Sequence, residues 1–428
     1  MGTEATDNQR LRMNDREAGC RSHPDVRLAP PLDFAALREI ERHLHLRCNK
    51  WDTQVGDVNV LSEQPLVLPG REWDLLCRSA ERLAAETTRL ESIVLERPRC
   101  QSSIGVPGAI REALAAEKKR RSEGTMPPAR AMRFDFHPTT SGWCVSEVNS
   151  DVPGGWSEGT SLPLLYQPFY KDLNCPESPL DAWGNAIQSL VPDGYVALLS
   201  APGYLEDEQV VRAFMHELQS RRVPCSMIQT PAALQWYSHG CRLRRSGERV
   251  SVVIRFYQVE WLCALPERAG WKQLLNASET QVINPAISAI SESKRFPLAF
   301  NQAPECLAWR AVMPECRDPR DVDLADWDGW VLKACYSNTG DQVQICGSIP
   351  RRQQRQVIRQ AQRNPSRWIA QRRFETLPVK SCRGPMYPCV GVFVVNGCAA
   401  GAYARLSGGQ VTDGAAVEAP LLIDRSVS

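Results

Sequence analysis

One stretch of the chain alternates polar and apolar residues so regularly that it predicts a β-hairpin with one polar face. Residues 131–149 read AMRFDFHPTTSGWCVSEVN, with Pro138 and Gly142 in or beside the turn. Successive side chains of a strand point to opposite faces of a sheet. The two phenylalanines of the first strand therefore face a core. The other face of the hairpin is expected to carry Arg133, Asp135, Glu147 and Asn149.

The numbering of these polar residues fits a single register. Opposed residues of an antiparallel pair have a constant sum of residue numbers. Asp135 with Glu147 has the same sum as Arg133 with Asn149. Two facing carboxylates repel each other unless a cation lies between them, and carboxylate and amide oxygens are the ligands that Mg²⁺ prefers. The hairpin is thus either a magnesium site with an arginine beside it or an ordinary solvated strand face.

Other segments predict a mixed α/β protein. Apolar residues at three- and four-residue spacing predict a long helix over 71–97, and a second helix is expected over 107–121. A strand at 195–200, a helix at 206–222 and a strand at 224–228 predict a β-α-β unit with a parallel strand pair. Further expected elements are strands at 250–256 and 330–333, helices at 286–300 and 350–364, and a hairpin of 390–395 with 399–404 that turns at Asn396 and Gly397.

Composition argues against several classes of protein. The chain has 51 Lys and Arg and 49 Asp and Glu, and this net charge of +2 gives no reason to expect a nucleic-acid or membrane-surface partner. No apolar run reaches the roughly 18 residues of a membrane span. The polar N-terminus has no apolar segment typical of a secretory signal, and the 16 cysteines form no C-x-x-C pair. We therefore expect reduced thiols in a cytoplasmic protein.

Several segments resemble one protein family in the order in which that family has them. R-F-D at 133–135 and E-V-N-S-D-V-P at 147–153 are similar to the metal-binding core of the glutathionylspermidine synthase family. Further similar segments are RFYQVEWL (255–262), INPAISAISESKRFPLAF (283–300), WVLKACYSNTGDQVQI (330–345), WIAQRRFETLP (368–378) and VGVFVVNGCAAGAYARLS (390–407). The resemblance covers residues 32 to 420.

The resemblance implies an α/β (α+β) protein with a permuted ATP-grasp fold and a preceding or inserted pre-ATP-grasp-like β-α-β domain. Permuted means that the metal-binding hairpin precedes Lys333, whereas other ATP-grasp enzymes have their phosphate-binding lysines first. Together with the polar start of the chain, it predicts four parts: a flexible tail (1–30), a helical segment with the metal-binding hairpin (31–175), the pre-ATP-grasp-like domain (176–325) and the ATP-binding part of the core (326–428).

The family's functional residues carry over by position. The resemblance implies that Arg133 is catalytic and stabilises the transferring phosphoryl group. It implies Mg²⁺ binding by Asp135, Glu147 and Asn149. It implies ATP binding by Lys333, Gly340, Gln371 and Arg405. The segment after the metal ligands implies substrate contacts from Asp151, Ser157 and Glu158. Lys294 is either a ligand contact or a surface lysine.

Departures from the family pattern bear on the substrate. The loop SNTGD keeps one glycine where the family has two, and no lysine shortly before Gln371 matches the family's second phosphate lysine. The stretch DVPGGWSEGT (151–160) replaces a Thr/Ser-rich segment that helps to hold glutathione, and Trp156 either adds a flat surface to the substrate site or packs into the core.

We therefore expect an ATP-dependent carboxylate–amine ligase that uses ATP and Mg²⁺ and forms an amide through an acyl phosphate. Its expected partners are small-molecule carboxylate and amine substrates, with a carboxylate other than glutathione, and neither nucleic acid nor a membrane. The alternative is a non-catalytic ATP-grasp-like protein that binds nucleotide or a partner. The altered loop and the missing lysine favour that alternative, whereas the intact set of metal-type residues favours the ligase.

Overall fold

The computed structural model describes residues 23–55, 58–123, 129–276, 279–323, 329–336, 343–345 and 350–426. The expected ATP contact Gly340 and most of the predicted tail lie outside the described residues. The α-helices are α1 (Phe34–Arg47), α2 (Gly70–Leu95), α3 (Pro98–Ser103), α4 (Arg111–Ser122), α5 (Trp156–Tyr166), α6 (Pro179–Leu190), α7 (Leu205–Ser220), α8 (Val259–Ala264), α9 (Trp271–Leu275), α10 (Ser288–Glu292), α11 (Leu307–Val312) and α12 (Arg351–Arg363).

The strands form several separate sheets. They are β1 (Arg27–Leu28), β2 (Gln54–Val55), β3 (Val58–Asn59), β4 (Leu66–Pro69), β5 (Ala131–Thr139), β6 (Gly142–Asn149), β7 (Tyr195–Ser200), β8 (Cys225–Ile228), β9 (Leu234–Tyr237), β10 (Gly240–Leu243), β11 (Arg249–Phe256), β12 (Gln281–Ile283), β13 (Cys316–Arg317), β14 (Trp330–Ala334), β15 (Val343–Ile345), β16 (Trp368–Arg372), β17 (Val379–Ser381), β18 (Gly384–Val395), β19 (Cys398–Ser407), β20 (Val417–Ala419) and β21 (Leu421–Asp424).

The predicted polar hairpin is β5 with β6, and its predicted register is confirmed. Asp135 opposes Glu147 and Arg133 opposes Asn149. The hairpin lies at one edge of a sheet with strand order β20-β19-β18-β5-β6, and β17 pairs with β18. Because β5 pairs directly with β18, the polar hairpin and the C-terminal strands of the chain form one sheet.

The interpretation of this hairpin as a solvated strand face is wrong. The side of β5 that carries Phe134 and Phe136 packs into the main core, and both rings are fully buried. The polar side is also enclosed, since Arg133 is 6% and Asp135 is 1% exposed. Burying two charged groups on one strand is costly unless they are paired or bind a ligand.

The predicted β-α-β unit is confirmed as β7, α7 and β8. Its two strands pair in parallel, and they belong to a sheet of order β8-β7-β11-β10-β9 to which β12 adds along β11. The second predicted hairpin, β18 with β19, is also confirmed. Its turn residues Asn396 and Gly397 both have positive φ angles, which suits a two-residue turn between strands.

The predicted helix over 286–300 is wrong as a single element. The chain forms the short helix α10 and then a 3₁₀ helix, Phe296–Gln302, that has a proline in its first turn. Between the two, the amide of Lys294 donates to the carbonyl of Cys335 just beyond β14 instead of to a helical carbonyl. Tertiary pairing thus interrupts the helix and turns Lys294 towards the polar hairpin.

A smaller sheet carries two expected ATP contacts. Its order is β13-β16-β14-β15, and α12 packs on it through Val357 and Ala361. Val331 opposes Gln371 in this sheet, and Val331 lies two residues before Lys333 on the same strand. Lys333 and Gln371 therefore share one face of the sheet.

The predicted division of the chain into four parts stays a prediction. A further small sheet, β1-β4-β21, joins segments from both ends of the described chain. Among the described helices, none combines the length and the apolar character needed to cross a membrane.

Candidate active site

A cavity of about 330 Å³ is lined by the polar face of the hairpin. It brings together most of the site residues expected from the sequence. They are Arg133, Asp135, Glu147, Asn149, Ser157, Glu158, Lys333, Gln371 and Arg405. Residues from four distant parts of the chain thus meet in one cavity, and Asp151 is not among those that line it.

The Asp135 carboxylate lies at the centre of a dense hydrogen-bond network. Arg133 donates to both of its oxygens at 2.8 and 3.0 Å, and Arg405 donates at 3.0 Å. The amide nitrogen of Asn149 donates to the same carboxylate at 3.3 Å. Burial would raise the pKa of Asp135, but the two arginines outweigh it and lower this pKa to about 2. Asp135 is therefore ionised at neutral pH.

A glycine on the neighbouring strand makes room for this network. Gly391 on β18 opposes Asp135. A Cβ atom at Gly391 would lie 2.7 Å from Cδ of Arg133 and 3.0 Å from Oδ1 of Asp135. The guanidinium of Arg133 also donates to the carbonyl of Gly154 at 2.6 Å, which fixes its direction. The sequence alone gave no sign that Gly391 has this part in shaping the site.

Two lysines flank the second carboxylate, Glu147. Lys294 lies 3.1 Å from it, and its side chain is 8% exposed, so the interpretation of Lys294 as a surface lysine is wrong. Lys333 is also buried, and its ammonium donates to the carbonyl of Ser146 at 3.2 Å. Burial lowers the pKa of Lys333, although Glu147 opposes this. Within the described residues Lys333 has no ion-pair partner, and a buried cation of this kind suits an anionic ligand.

We call Arg133, Lys294, Lys333 and Arg405 the basic cluster. Among the described residues the carboxylates of Asp135 and Glu147 pair with three of these four cations, and a third carboxylate, Glu292, interacts with Lys294. The excess positive charge in a partly enclosed cavity attracts a polyanion such as a nucleoside triphosphate. Burial would raise the pKa of Glu147, but Lys294 and Lys333 outweigh it and lower this pKa.

The donor atoms fit Mg²⁺ only in part. Two carboxylates and one amide are oxygen donors of the hard type, but the described residues contain no group of three His, Cys, Asp or Glu side chains that could hold a metal ion. Mg²⁺ usually binds through one or two carboxylates together with water and substrate phosphates. Asp135, Glu147 and Asn149 therefore fit a magnesium ion that is held jointly with a polyphosphate, and not one held by protein groups alone.

Gln371 lies on the smaller sheet close to sulfur atoms, and aromatic rings line the same cavity. Its amide donates to the carbonyl of Ser146 at 3.4 Å and to the sulfur of Met313 at 3.1 Å. Nearby, the rings of His137 and Phe374 have their centroids 5.3 Å apart. Burial lowers the pKa of His137 to about 4, so this ring is neutral at physiological pH. The surroundings of Gln371 suit a flat, uncharged ring system.

Asp151, expected to contact the substrate, is instead buried outside the cavity. Its carboxylate pairs with Arg255, and the two side chains are 1% and 0% exposed. It also accepts hydrogen bonds from the amide of Val259 and the hydroxyl of Ser288, each at 2.8 Å. All of these partners belong to other parts of the chain. We therefore interpret Asp151 as a buried cross-link and leave it out of the site.

Ser157 and Glu158, by contrast, lie in the cavity at the start of α5. The hydroxyl of Ser157 and Oε2 of Glu158 are buried and have no hydrogen-bond partner within the described residues. Buried polar atoms of this kind cost free energy, which a bound ligand would recover. Trp156 is 1% exposed and packs against Phe393 with a centroid distance of 4.6 Å. Of the two alternatives for Trp156, core packing is therefore correct.

Apart from Glu158, sequence reasoning missed a group of charges that also line the cavity. We call Asp52, Glu158, Glu206, Asp207 and Glu418 the acidic cluster; Lys50 lies among them. Burial, together with neighbouring carboxylates, raises the pKa of Asp207 and of Glu418 to about 8. Four of these five acids come from segments without any recognised motif, so no local pattern could have revealed them.

Tyr403 lies between the two clusters. Its ring centroid is 5.6 Å from the guanidinium carbon of both Arg133 and Arg405. Its hydroxyl donates to Oε1 of Glu418 at 3.4 Å. One aromatic side chain therefore separates the residues that suit a polyphosphate from those that suit a cation.

The position of Tyr403 depends on the absence of a side chain at Gly155. A Cβ atom there would lie 2.3 Å from the Tyr403 ring, and the φ angle of Gly155 is +90°. We expect Gly155→Ala to lower the free energy of unfolding by about 1–3 kcal/mol, because both the clash and the backbone conformation oppose a side chain. Denaturant unfolding measures this difference.

The matched control is Gly154→Ala. A Cβ atom at Gly154 would meet only Nη1 of Arg133, at an ordinary contact distance of 3.9 Å. The free energy of unfolding of this variant should lie within about 0.5 kcal/mol of that of the wild type. Equal loss of stability in both variants would show that Gly155 and Tyr403 do not pack as described.

A family model described as glutathionylspermidine synthase preATP-grasp matches residues 41–424. No curated protein matches. Among solved structures, the chain is similar to a protein provisionally described as a gamma-glutamylcysteine synthetase from Methylobacillus flagellatus KT. That similarity has a TM-score of 0.41 and 10% identity, and it covers 78% of this chain and 84% of the other.

Proposed function

The chain belongs to the glutathionylspermidine synthase family, and from that premise we propose that it is an ATP-dependent carboxylate–amine ligase. Membership confirms the resemblance noted in the sequence, and the mixed α/β fold with several sheets agrees with an ATP-grasp-like protein. The observation that carries the proposal is the buried network of Asp135 with Arg133, Asn149 and Arg405 in a cavity that also contains Lys333. A cytoplasmic location stays a prediction.

ATP is proposed to bind at the basic cluster. Lys333 and Arg405 would contact its phosphates, and the adenine would lie near Gln371 and the rings of His137 and Phe374, which also line the cavity. Gly340 is proposed to contact the phosphates as well, by its place in the family motif. Mg²⁺, when bound by Asp135, Glu147 and Asn149 together with the phosphates, would neutralise charge that develops during phosphoryl transfer.

The proposed reaction has two steps. In the first, an oxygen of the substrate carboxylate attacks the γ-phosphorus, the bond to ADP breaks, and an acyl phosphate forms. Arg133 stabilises the charge on the transferring phosphoryl group, because its guanidinium is already held in place by Asp135 and the carbonyl of Gly154. In the second step, the amine nitrogen attacks the acyl carbon, phosphate leaves, and the nitrogen gives up a proton.

The acidic cluster is proposed to hold the amine. An ammonium group offers three hydrogen-bond donors, and Ser157 and Glu158 provide buried oxygens that have no other partner within the described residues. Tyr403 separates this cluster from Arg133 by a single ring, which would bring the amine near the acyl phosphate. The bound ammonium must first give one proton to a neighbouring carboxylate so that the nitrogen has a lone pair for the attack, and after attack the nitrogen gives up a second proton to another carboxylate or to the leaving phosphate.

The carboxylate substrate is proposed to differ from glutathione. The segment that follows Asn149 has lost the family's Thr/Ser-rich stretch. Trp156, which replaces part of it, packs into the core and offers no surface to a substrate. Gly154 leaves room for a substrate near the backbone, whereas the Tyr403 ring fills the space beside Gly155.

An assay of ADP release over a panel of acid–amine pairs tests the proposal. We expect magnesium-dependent ADP release with at least one pair, together with an amide product detected by mass spectrometry. Glutathione with spermidine is expected to be a poor pair. If that pair proves the best by a wide margin, the proposed change of substrate is wrong. If no pair from a broad panel of peptides, amino acids and polyamines releases ADP, the non-catalytic alternative is favoured.

A further inference from the structure

The exposed face of α12 carries a row of arginines that the proposed reaction does not use. We infer that this face binds the phosphate backbone of duplex RNA. The inference goes beyond the proposed ligase, because no residue of α12 lines the cavity. It also departs from the expectation drawn from the net charge of +2, because that charge is unevenly distributed along the chain.

The first observation is the charge of the segment that contains α12. Residues 351–374 read RRQQRQVIRQAQRNPSRWIAQRRF, with eight arginines and no Asp, Glu or Lys. The formal charge of these 24 residues, +8, exceeds that of the whole chain. A local excess of one sign attracts a polyanion even where the protein as a whole is nearly neutral.

Helical geometry places four of these arginines in one row. They follow each other along α12 at spacings of three and four residues, which puts their side chains on one face of the helix. Val357 and Ala361 lie on the opposite face and are buried against the smaller sheet. All four arginines are exposed. We call this row the arginine stripe: Arg352, Arg355, Arg359 and Arg363.

The second observation is that the arginine stripe lacks opposite charges. Its four side chains form no ion pair within the described residues, and α12 itself contains no acidic residue. On α7, by contrast, Arg212 pairs with Glu208 one turn away at 2.7 Å. Like charges three and four residues apart destabilise a helix. A bound polyanion would remove this repulsion, so the stripe suits a ligand with several negative charges in a row.

The composition of this face favours a nucleic acid over a protein or a membrane. Protein interfaces and membrane-binding helices place apolar side chains on the face of contact. The apolar residues of α12 pack towards the sheet instead. Guanidinium groups bind phosphate oxygens in a bidentate manner, and glutamine amides donate to phosphate and sugar oxygens. The exposed residues between the arginines are all glutamines: Gln353, Gln356, Gln360 and Gln362.

The setting of α12 favours duplex RNA over DNA and over a single strand. Because one side of α12 is covered by the sheet, only its other face can approach a ligand, which does not suit the roughly 8 Å deep grooves of B-DNA. The minor groove of A-form RNA is wide and shallow and displays 2′-hydroxyls. Single-strand binding relies on aromatic rings that stack on bases, and α12 contains no aromatic residue.

Fluorescence anisotropy with a labelled RNA duplex of about 20 base pairs tests the inference in the wild-type protein. We expect saturable binding at about 50 mM salt. Because the four arginines of the stripe would neutralise about four phosphates, binding should be roughly a hundredfold weaker at about 200 mM salt. Absence of binding at the lower salt concentration would overturn the inference.

Two other ligands test the choice of duplex RNA. A DNA duplex of the same sequence should bind at least roughly tenfold more weakly, because its grooves do not suit the exposed face of α12. Equal binding of DNA would show that the stripe responds to charge alone and would overturn the choice of RNA. Poly-glutamate should not displace the RNA at an equal concentration of charge. If it does, an acidic protein is the favoured partner and the inference is wrong.

Variants of the stripe locate the binding surface. The triple variant Arg355→Gln, Arg359→Gln, Arg363→Gln should bind the RNA at least roughly tenfold more weakly, and the slope of log affinity against log salt should fall by about two to three. The matched control is Arg78→Gln, Arg82→Gln, two exposed arginines on α2 with the same four-residue spacing. The control should change neither quantity. Unchanged affinity and slope in the folded triple variant would contradict the inference.

The basic cluster of the cavity is a second positively charged region, and competition distinguishes it from the stripe. A saturating nonhydrolysable ATP analogue with Mg²⁺ should leave RNA binding unchanged. Displacement of the RNA by the nucleotide would place the RNA in the cavity and overturn the inference. The triple variant should still bind the ATP analogue as the wild type does, because the stripe lies outside the cavity. RNA binding and the ligase reaction can therefore succeed or fail independently.

Discussion

Asn149→Ala is expected to reduce magnesium-dependent ADP release by at least roughly a hundredfold, the largest effect on turnover that the structure predicts for a single small change. Asn149 is the amide oxygen donor of the proposed magnesium set. Its side-chain nitrogen also donates to Asp135, which turns the amide oxygen away from that carboxylate. Alanine removes both contacts without adding bulk. ADP release with the best acid–amine pair, at saturating ATP, measures the effect.

The fold should survive this change, because only one hydrogen bond of 3.3 Å is lost. Asn185→Ala, at an exposed position on α6, is the matched control and should retain full turnover. Asp135→Asn should also remove turnover, but it leaves Arg133 and Arg405 without their shared carboxylate and should lower stability as well. Full ADP release by Asn149→Ala would refute its assignment to the metal set.

Arg255→Met is expected to give the largest loss of stability, about 3–5 kcal/mol in the free energy of unfolding. Arg255 is fully buried and pairs with Asp151. It also donates to the carbonyls of Tyr257 and Asn284 at 2.6 and 3.0 Å. Methionine fills similar space but leaves the Asp151 carboxylate buried with no cation beside it. Denaturant unfolding at neutral pH measures the loss.

Two further variants test the physical reason. The double variant Arg255→Met, Asp151→Leu removes both charges and should recover most of the lost stability. Arg425→Met breaks an ion pair whose side chains are 48% and 45% exposed, and it should cost less than about 1 kcal/mol. If Asp151→Asn instead leaves stability unchanged and weakens substrate binding, then Asp151 is a substrate contact and the interpretation as a cross-link is wrong.

The hairpin of the site could be predicted because strand geometry is local. Alternation with a period of two determines which side chains share a face. The equal sums of the residue numbers of opposed polar residues determine the register. Asp135 and Glu147 were therefore paired correctly from the sequence. The same alternation could not distinguish a buried polar face from an exposed one. That difference depends on the smaller sheet, whose first strand begins at Cys316, and on β18, which begins at Gly384, both far beyond the hairpin in the chain.

Except for Glu158, the acidic cluster could not be predicted, because its members come from separate elements. Asp52 precedes β2, as does the neighbouring Lys50, Glu206 and Asp207 lie on α7, and Glu418 lies on β20. None of them belongs to a repeating pattern. Each one becomes informative only when tertiary packing brings it to the cavity. Their charges, ordinary in the sequence, then lie close together, and the side chains of Lys50, Glu158 and Glu418 are largely buried.

Asp151 shows the opposite case, in which a motif suggested more than the structure supports. Its place directly after the metal ligands favoured a substrate contact. In the structure Asn149 and Val152 line the cavity but Asp151 between them does not, and its carboxylate binds Arg255, Val259 and Ser288 instead. Adjacency in sequence therefore did not imply adjacency in the site.

Calorimetric titration of the wild-type protein with a nonhydrolysable ATP analogue, with and without Mg²⁺, tests the central claim most directly. The claim is that the cavity beside Lys333 binds ATP together with magnesium. We expect saturable binding that is tighter in the presence of Mg²⁺, and binding at least roughly tenfold weaker in Lys333→Met, because a buried cation next to the phosphates is lost. Absence of binding under both conditions would contradict the account.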